Sequence, residues 1–239
     1  MQRYFAPIED HKAILSKEDA HHLQNVVRIR LGEEVEIVSP DGVFLCRASS
    51  LNPLLIEEVA KINEIRELDN PLTLAWSLLK GENNDWIVMK GTELGVSSFL
   101  PFLSKRTIPK ATPGEEDNRL TRMRRIAKES AQQCRRQTIP EVSSYEKYLD
   151  VIEKNYDIKL FAYEELSGHG KTIPEALKGH EKGEKILLLI GPEGGFSVEE
   201  AELAKQKGFQ MVSLGRRILR AETAAVYGAS LISCWSESE

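Results

Sequence analysis

Hydrophobic and polar positions divide the chain into two stretches of different period. Before about residue 68 the apolar runs are short: VEIV (35–38) and VFLCRA (43–48) are joined through SPDG, whose closing glycine marks a turn. This pattern predicts a small β-rich domain. RELDNPLT (66–73) then mixes charge, Asn and Pro in the manner of a linker, which sets the expected boundary near Asn70 and the expected domains at residues 1–70 and 71–239.

From Leu72 onward strands alternate with helices. LTLAWSLL (72–79), SSFLPFL (97–103), IKLFAY (158–163), KILLLI (185–190) and MVSLG (211–215) read as strands, and ENNDWIVMKGTELG (82–95) as a helix closed by Gly95. Residues 119–136 read as another helix, with Leu120, Met123, Ile126 and Ala127 at spacings of three and four forming its apolar stripe. Two more helices are predicted from Ser197 and from about Glu222. Such alternation implies an α/β fold, a mostly parallel sheet with helices packed on it. Ligands of open sheets sit beyond the carboxyl ends of the strands. Three loops emerge there: YEELSGHG (163–170), GPEGG (191–195) and GRRILRAE (215–222).

The formal net charge of −5 argues against sequence-independent nucleic-acid binding by the molecule as a whole. Local charge says otherwise. Arg119, Arg122, Arg124, Arg125, Lys128, Arg135 and Arg136 face a single acid, Glu129, and SKRTIPK (104–110) adds Lys105, Arg106 and Lys110. Cys46, Cys134 and Cys234 are widely separated without CxxC spacing, and the adjacent His21 and His22 point apart, so no disulfide framework and no metal site is expected. MQRYFAPIED carries charge where a signal peptide is apolar, and the longest aliphatic run, 186–190, is too short to span a bilayer. A cytoplasmic protein without membrane contact is the expectation.

GPEGG follows a strand and precedes a helix. Gly191, Gly194 and Gly195 permit positive φ and close backbone approach, while Pro192 stiffens the path. Ser197 and Glu200 form a capping-box pair, which occupies amide donors that a phosphate would use, and Glu193, Glu199 and Glu200 would repel one. The spacing is neither GxGxxG nor a Walker loop, so a nucleotide-dependent oxidoreductase lacks its phosphate turn. A nucleoside ligand that is cationic and unphosphorylated suits the turn, and S-adenosylmethionine is the common molecule of that kind. A tight turn with a good cap and no ligand fits the spacing equally.

GPEGGFSVEE, followed some twenty residues later by SLGRRILRAETAA, resembles the paired signature of SPOUT-superfamily RNA methyltransferases, most closely the family that methylates N3 of a uridine in small-subunit (16S) ribosomal RNA. RYF (3–5), HHLQNVVRIRLGEEVEI (21–37), KGENNDWIVMKGTELGV (80–96) and ESAQQCRRQTIPE (129–141) resemble that family's other blocks in the same order. Gly91 stands where the family often has Ala, and Arg135 where a Gly is common. The resemblance implies a PUA-like β-barrel that helps hold RNA, then a SPOUT domain whose C-terminal chain forms a trefoil knot around the methyl donor, and a homodimer. S-adenosylmethionine would lie against Gly191, Pro192, Glu193 and Gly194 on one side and Leu214, Gly215, Ile218, Leu219 and Arg220 on another.

Uracil N3 carries a proton at neutral pH, so a group must accept it. Arg220 to stabilise charge on a uracil carbonyl and Glu222 to take the proton are the candidates, with Glu193 a rival base. Alternatively, Glu222 only favours the dipole of the helix it begins. Arg28 and Arg30 in the first domain and Arg122, Arg125, Lys128 and Arg136 in the second are candidate phosphate contacts on small-subunit ribosomal RNA or a 30S subunit. A ribosome-assembly RNA-binding protein without catalysis would keep that basic cluster but tolerate damage at GPEGG and LGRRILR. ETAAVYGASLISCW is apolar nearly all round, which suits either packing against a second copy or burial in the monomer.

Overall fold

The computed structural model describes residues 1–108 and 115–238; Lys110 of the SKRTIPK segment lies outside them. The chain forms two units, Met1–Glu67 with Ala131–Thr138, and Leu68–Ser130 with Ile139–Glu239.

In the first unit, β1 (Arg3–Phe5), β2 (Ile8–Glu9), β3 (Lys12–Ala13), helix α1 (Lys17–His21), β4 (Glu34–Ser39), β5 (Gly42–Leu51) and β6 (Leu54–Ile62) build a six-stranded sheet in the order β1-β4-β5-β6-β3-β2. The SPDG turn closes the β4–β5 hairpin, with Ser39 paired to Gly42. Tyr4, Leu23, Val35, Ile37, Phe44, Cys46, Ala48 and Ile56 form its core.

The second unit runs β7 (Leu72–Ser77), α2 (Asn83–Glu93), β8 (Ser98–Leu103), α3 (Glu115–Gln133), β9 (Glu141–Val142), β10 (Glu146–Lys147), α4 (Tyr148–Ile152), β11 (Ile158–Ala162), α5 (Ile173–Leu177), β12 (Ile186–Ile190), α6 (Val198–Gln206), β13 (Gln210–Val212) and α7 (Ala221–Ser236). Its strands lie in the order β10-β8-β7-β12-β11-β13, with β9 beside β8, and every pairing is parallel. All residues of β7 and β12 are buried, as strands covered on both faces must be. Alternate residues serve two cores: Leu74, Trp76, Leu188 and Ile190 pack with α2, α3, α5 and α7, while Ala75, Leu187 and Leu189 pack with α4 and α6.

Local chemistry explains the departures from the sequence reading. A Cβ on Gly91 would lie 2.6 Å from the Phe99 ring, so helix α2 sits too close to β8 for alanine, and this contact outweighs the roughly 1 kcal/mol helix penalty of glycine. Asn70, expected in a linker, is fully buried in the second unit: its amide N–H donates to Ser236 Oγ at 3.0 Å, and its side chain donates to the carbonyls of Glu181 and Glu184. The basic helix expected through residue 136 stops at Gln133. Arg135 is left-handed (φ 60°), the Arg136 N–H donates to Ala131 O at 2.9 Å and the Arg135 N–H to Gln132 O, the paired bonds of a Schellman ending. This is a position for glycine, which the resembling family commonly has there.

The turn brings residues 131–138 onto the first unit. Arg3, fully buried, pairs with Glu36 and Glu64 and donates to the Arg135 carbonyl at 2.6 Å. Arg136, also buried, forks onto Glu67, and Glu67 Oε1 accepts from the Gln137 N–H at 2.9 Å. Burial alone would raise the Glu67 carboxyl, yet the hydrogen bonds and charge of Arg136, the Gln137 amide and the Thr138 hydroxyl hold it below the ordinary carboxylate value. Arg136, expected to contact phosphate, is therefore a structural cation, because its guanidinium is already enclosed with a carboxylate.

Two outcomes follow. Arg135→Gly relieves the left-handed backbone at the expense of a weak 3.7 Å pairing with Glu36, and should stabilise by about 1 kcal/mol in urea unfolding. Glu67→Gln should destabilise by about 2 kcal/mol at pH 7. A carboxylate with a depressed folded pKa contributes above its unfolded pKa and loses that contribution as pH falls through the folded one, so unfolding curves of the variant and the parent should converge as pH falls below the ordinary carboxylate range.

Candidate functional site

The loops that leave the carboxyl ends of four adjacent strands, β7, β12, β11 and β13, enclose a cavity of about 580 Å³. The turn after β12 supplies one wall. Phe196 folds back beneath it, its ring centroid 4.2 Å from that of Phe161, and a Cβ on Gly191 would stand 3.0 Å from the Phe196 ring. A side chain at 191 would press the ring back by a few tenths of an ångström. Gly195, at φ 66°, donates its N–H to Pro192 O at 2.9 Å, and the Glu164 carboxylate from the loop after β11 occupies the space that a Gly195 side chain would need.

The capping box forms in both directions: Glu200 N–H donates to Ser197 Oγ at 3.3 Å, and Ser197 N–H to Glu200 Oε2 at 2.8 Å. Glu200 Oε1 accepts from the Lys105 N–H at 2.9 Å. Two amide donors at the start of α6, those of Ser197 and Glu200, are thus engaged within the protein, which weakens the usual anion seat of a helix terminus.

The loop after β13 forms the facing wall. Gly215, at φ 107°, accepts from the Gly168 N–H at 2.9 Å, and Ser213 N–H donates to Lys171 O, which ties this loop to the one after β11. The loop after β7 is ordered by buried Asn84, whose side chain bonds the Trp76 indole N–H and both the N–H and the carbonyl of Leu79.

Gly191, Pro192, Glu193 and Gly194 line the cavity together with Leu214, Ile218, Leu219 and Arg220, and Glu222 joins them from the first turn of α7. Gly215 does not; its role is to turn the chain and hold the adjacent loop. Glu193 Oε1 accepts from the Lys80 N–H at 3.1 Å. Asn83, Tyr163, Glu164, Ser167 and Arg217 also line the cavity and were not singled out by sequence reasoning. A signal existed for Tyr163, Glu164 and Ser167, since their loop follows a predicted strand, and for Asn83, which opens the helix after the strand at 72–79. Burial, reinforced by the Glu165 and Glu164 carboxylates, raises the Tyr163 phenol, which keeps it a donor at neutral pH. The cavity therefore presents carboxylates, two guanidinium groups and an apolar floor of Ile190, Leu214 and Ala224.

The cationic candidates lie elsewhere. Arg28 and Arg30 are exposed on the first unit, after a π-helical segment, His22–Val27, that ends with Arg28 left-handed at φ 58°. On α3, Arg122 is exposed and contacts Asp85 at 2.6 Å, Arg125 contacts Glu129 at 3.6 Å, and Lys128 is half-buried. Among the described residues no three His, Cys, Asp or Glu side chains gather as a metal-binding group, and no helix is long and apolar enough to cross a membrane.

A model of the RNA methyltransferase domain matches residues 66–233, and one of the RNA methyltransferase PUA domain matches residues 15–54. The chain is 33% identical to ribosomal RNA small subunit methyltransferase E of Bacillus subtilis (strain 168), over 99% of this chain and 98% of that protein. It is also 33% identical to the protein of the same name from Mesomycoplasma hyopneumoniae (strain 232), over 95% and 96%. Among solved structures, ribosomal RNA small subunit methyltransferase E from Neisseria gonorrhoeae bound to S-adenosyl methionine superposes with a TM-score of 0.85 at 25% identity, covering 98% of both chains. A Legionella pneumophila methyltransferase in complex with bound S-adenosyl methionine superposes at 0.86 and 27%, again over 98% of both. Matches of this length, through both units and every loop of the cavity, make the chain a member of the RNA methyltransferase family.

Proposed function

We propose that this chain transfers a methyl group from S-adenosylmethionine to N3 of a uridine in small-subunit (16S) ribosomal RNA. The observation that carries the reading is the cavity at the carboxyl edge of the parallel sheet: backbone turns and aliphatic side chains form its walls, carboxylates line it, and a reciprocal capping box occupies two amides of the adjacent helix terminus. Its volume of about 580 Å³ lies within the range of small-molecule sites, roughly 300–1,000 Å³. These properties suit a cationic adenosine derivative, and relatives along the full chain carry the name and the ligand that go with it.

The residues divide the work. Gly191, Pro192 and Gly194 face Leu214, Ile218 and Leu219 across the space for the adenosine part, Gly215 sets the turn of the second wall, and Glu193, Glu164 and Glu222 favour positive charge. S-adenosylmethionine supplies an electrophilic methyl group when bound. Glu222 accepts the uracil N3 proton, and Arg220 neutralises the charge that develops on a uracil carbonyl oxygen. Glu193 is the rival base, and its Oε1 already accepts from the Lys80 N–H at 3.1 Å.

RNA engages Arg28 and Arg30 of the amino-terminal PUA-like domain and Arg122, Arg125 and Lys128 of the SPOUT domain. The C-terminal chain threads a trefoil knot, and two copies pair through the side of α7 that carries exposed Tyr227 and Cys234 beside half-buried Leu231 and Trp235. The enzyme works in the cytoplasm.

Purified protein with labelled S-adenosylmethionine should methylate small-subunit ribosomal RNA at a uridine located by mass mapping. Glu222→Gln should lower kcat by about 10²-fold or more while leaving donor affinity unchanged; labelled RNA at the parent rate would remove Glu222 as base, and donor binding without any transfer would favour an RNA-binding assembly factor. With five cations on phosphates, log affinity for RNA should fall with log salt at a slope of about −4, measured by filter binding between 50 and 200 mM salt.

A further inference from the structure

We propose that Arg106 is a positioning residue for the methyl-donor wall rather than a contact for RNA; the assignment rests on the cavity being the S-adenosylmethionine site. Arg106 lies in the segment after β8, whose three cations adjoin the basic stretch at 119–136. Its guanidinium is engaged instead with backbone 88 and 90 residues further along: Nη1 donates to Gly194 O at 2.8 Å and to Phe196 O at 3.5 Å. Its stem also covers the turn, since a Cβ on Gly194 would lie 3.6 Å from Arg106 Cβ and 3.7 Å from Cδ.

The segment that presents Arg106 is held independently of it. Ser77 Oγ lies 2.9 Å from Ser104 Oγ and 2.6 Å from Thr107 Oγ1, and Thr107 Oγ1 accepts from the Ser104 N–H at 2.7 Å. The neighbouring Lys105 N–H donates to Glu200, and its ammonium lies 3.4 Å from Glu199. Arg106 is thus an exposed side chain on a fixed base, and its loss removes the two carbonyl contacts without releasing the loop.

Gly194 and Gly195 are adjacent residues with wide conformational freedom in the one wall made of backbone. The Gly195 N–H to Pro192 O bond closes the turn from within, and Arg106 holds the Gly194 and Phe196 carbonyls from outside. Without it the turn samples conformations that do not match a ligand, and binding must include the ordering of the wall. Such a change weakens donor affinity and leaves the saturated enzyme almost as fast as the parent.

The test compares R106A and R106K with the unaltered protein. Calorimetry measures S-adenosylmethionine affinity, steady-state methylation separates KM from kcat, filter binding measures RNA affinity, and amide exchange follows Gly194, Gly195 and Phe196 without ligand. R106A should weaken donor binding and raise the donor KM by roughly three- to tenfold, the effect of losing one charge-assisted hydrogen bond at the surface, with kcat within about twofold and RNA affinity unchanged. Exchange at the turn should quicken, and R106K, whose compact ammonium lacks the guanidinium's fixed fork, should fall between the two. Equal donor affinity in R106A and the parent overturns the assignment alone, and so does a loss of RNA affinity with donor affinity retained. Failure of the parent itself to bind S-adenosylmethionine overturns the cavity reading and this assignment with it.

Discussion

A parallel strand buried on both faces must end abruptly, because the chain beyond it has to leave the core and satisfy its own backbone groups. At the end of β12 the solution is the Phe196 ring, drawn back under the turn into a cluster with Phe161, Phe102 and Tyr148. The ring crowds any side chain at Gly191, Gly195 takes a positive φ, and Ser197 caps α6. The backbone surface facing the cavity is a result of packing beneath it. A core contact thereby defines a binding wall.

The same arrangement settles the electrostatics. Glu200 serves Ser197 on one side and Lys105 on the other, so the start of α6 is neutralised by groups that belong to the fold. Carboxylates of Glu164, Glu193 and Glu222 then stand beside the guanidinium groups of Arg217 and Arg220 in the lining of the cavity. Polar groups within reach of one another are paired first, and what remains defines the ligand class.

Periodicity made the second unit legible: β7, β11, β12 and the helix after Ser197 lie within the stretches that the apolar pattern marks, because burial on two faces leaves an unmistakable aliphatic run, although β7 ends at Ser77, two residues short of the predicted end. Glycine spacing likewise marked the turn, and the capping pair could be read from Ser197 and Glu200 alone. Charge was less legible. Arg136 and Arg106 looked like members of one cationic cluster, yet each is committed to a partner far along the chain, Glu67 in one case and the carbonyls of Gly194 and Phe196 in the other. A count of cations has no access to such pairings. Most of the first unit's sheet was also hidden, since β1, β2 and β3 are two or three residues long and β6 carries Glu57, Glu58 and Lys61 among its apolar positions.

The Schellman ending of α3 returns eight residues to a sheet that was otherwise complete by Ile62. Arg3 is synthesised well before the carbonyls of Arg135 and Arg136 that receive its guanidinium, which arrive only after β7, α2, β8 and α3 have been made. The amino-terminal unit therefore cannot mature as a separate vectorial event on the ribosome. Its last polar contacts close when the following unit is already part-built, which couples the two in time through chain order alone.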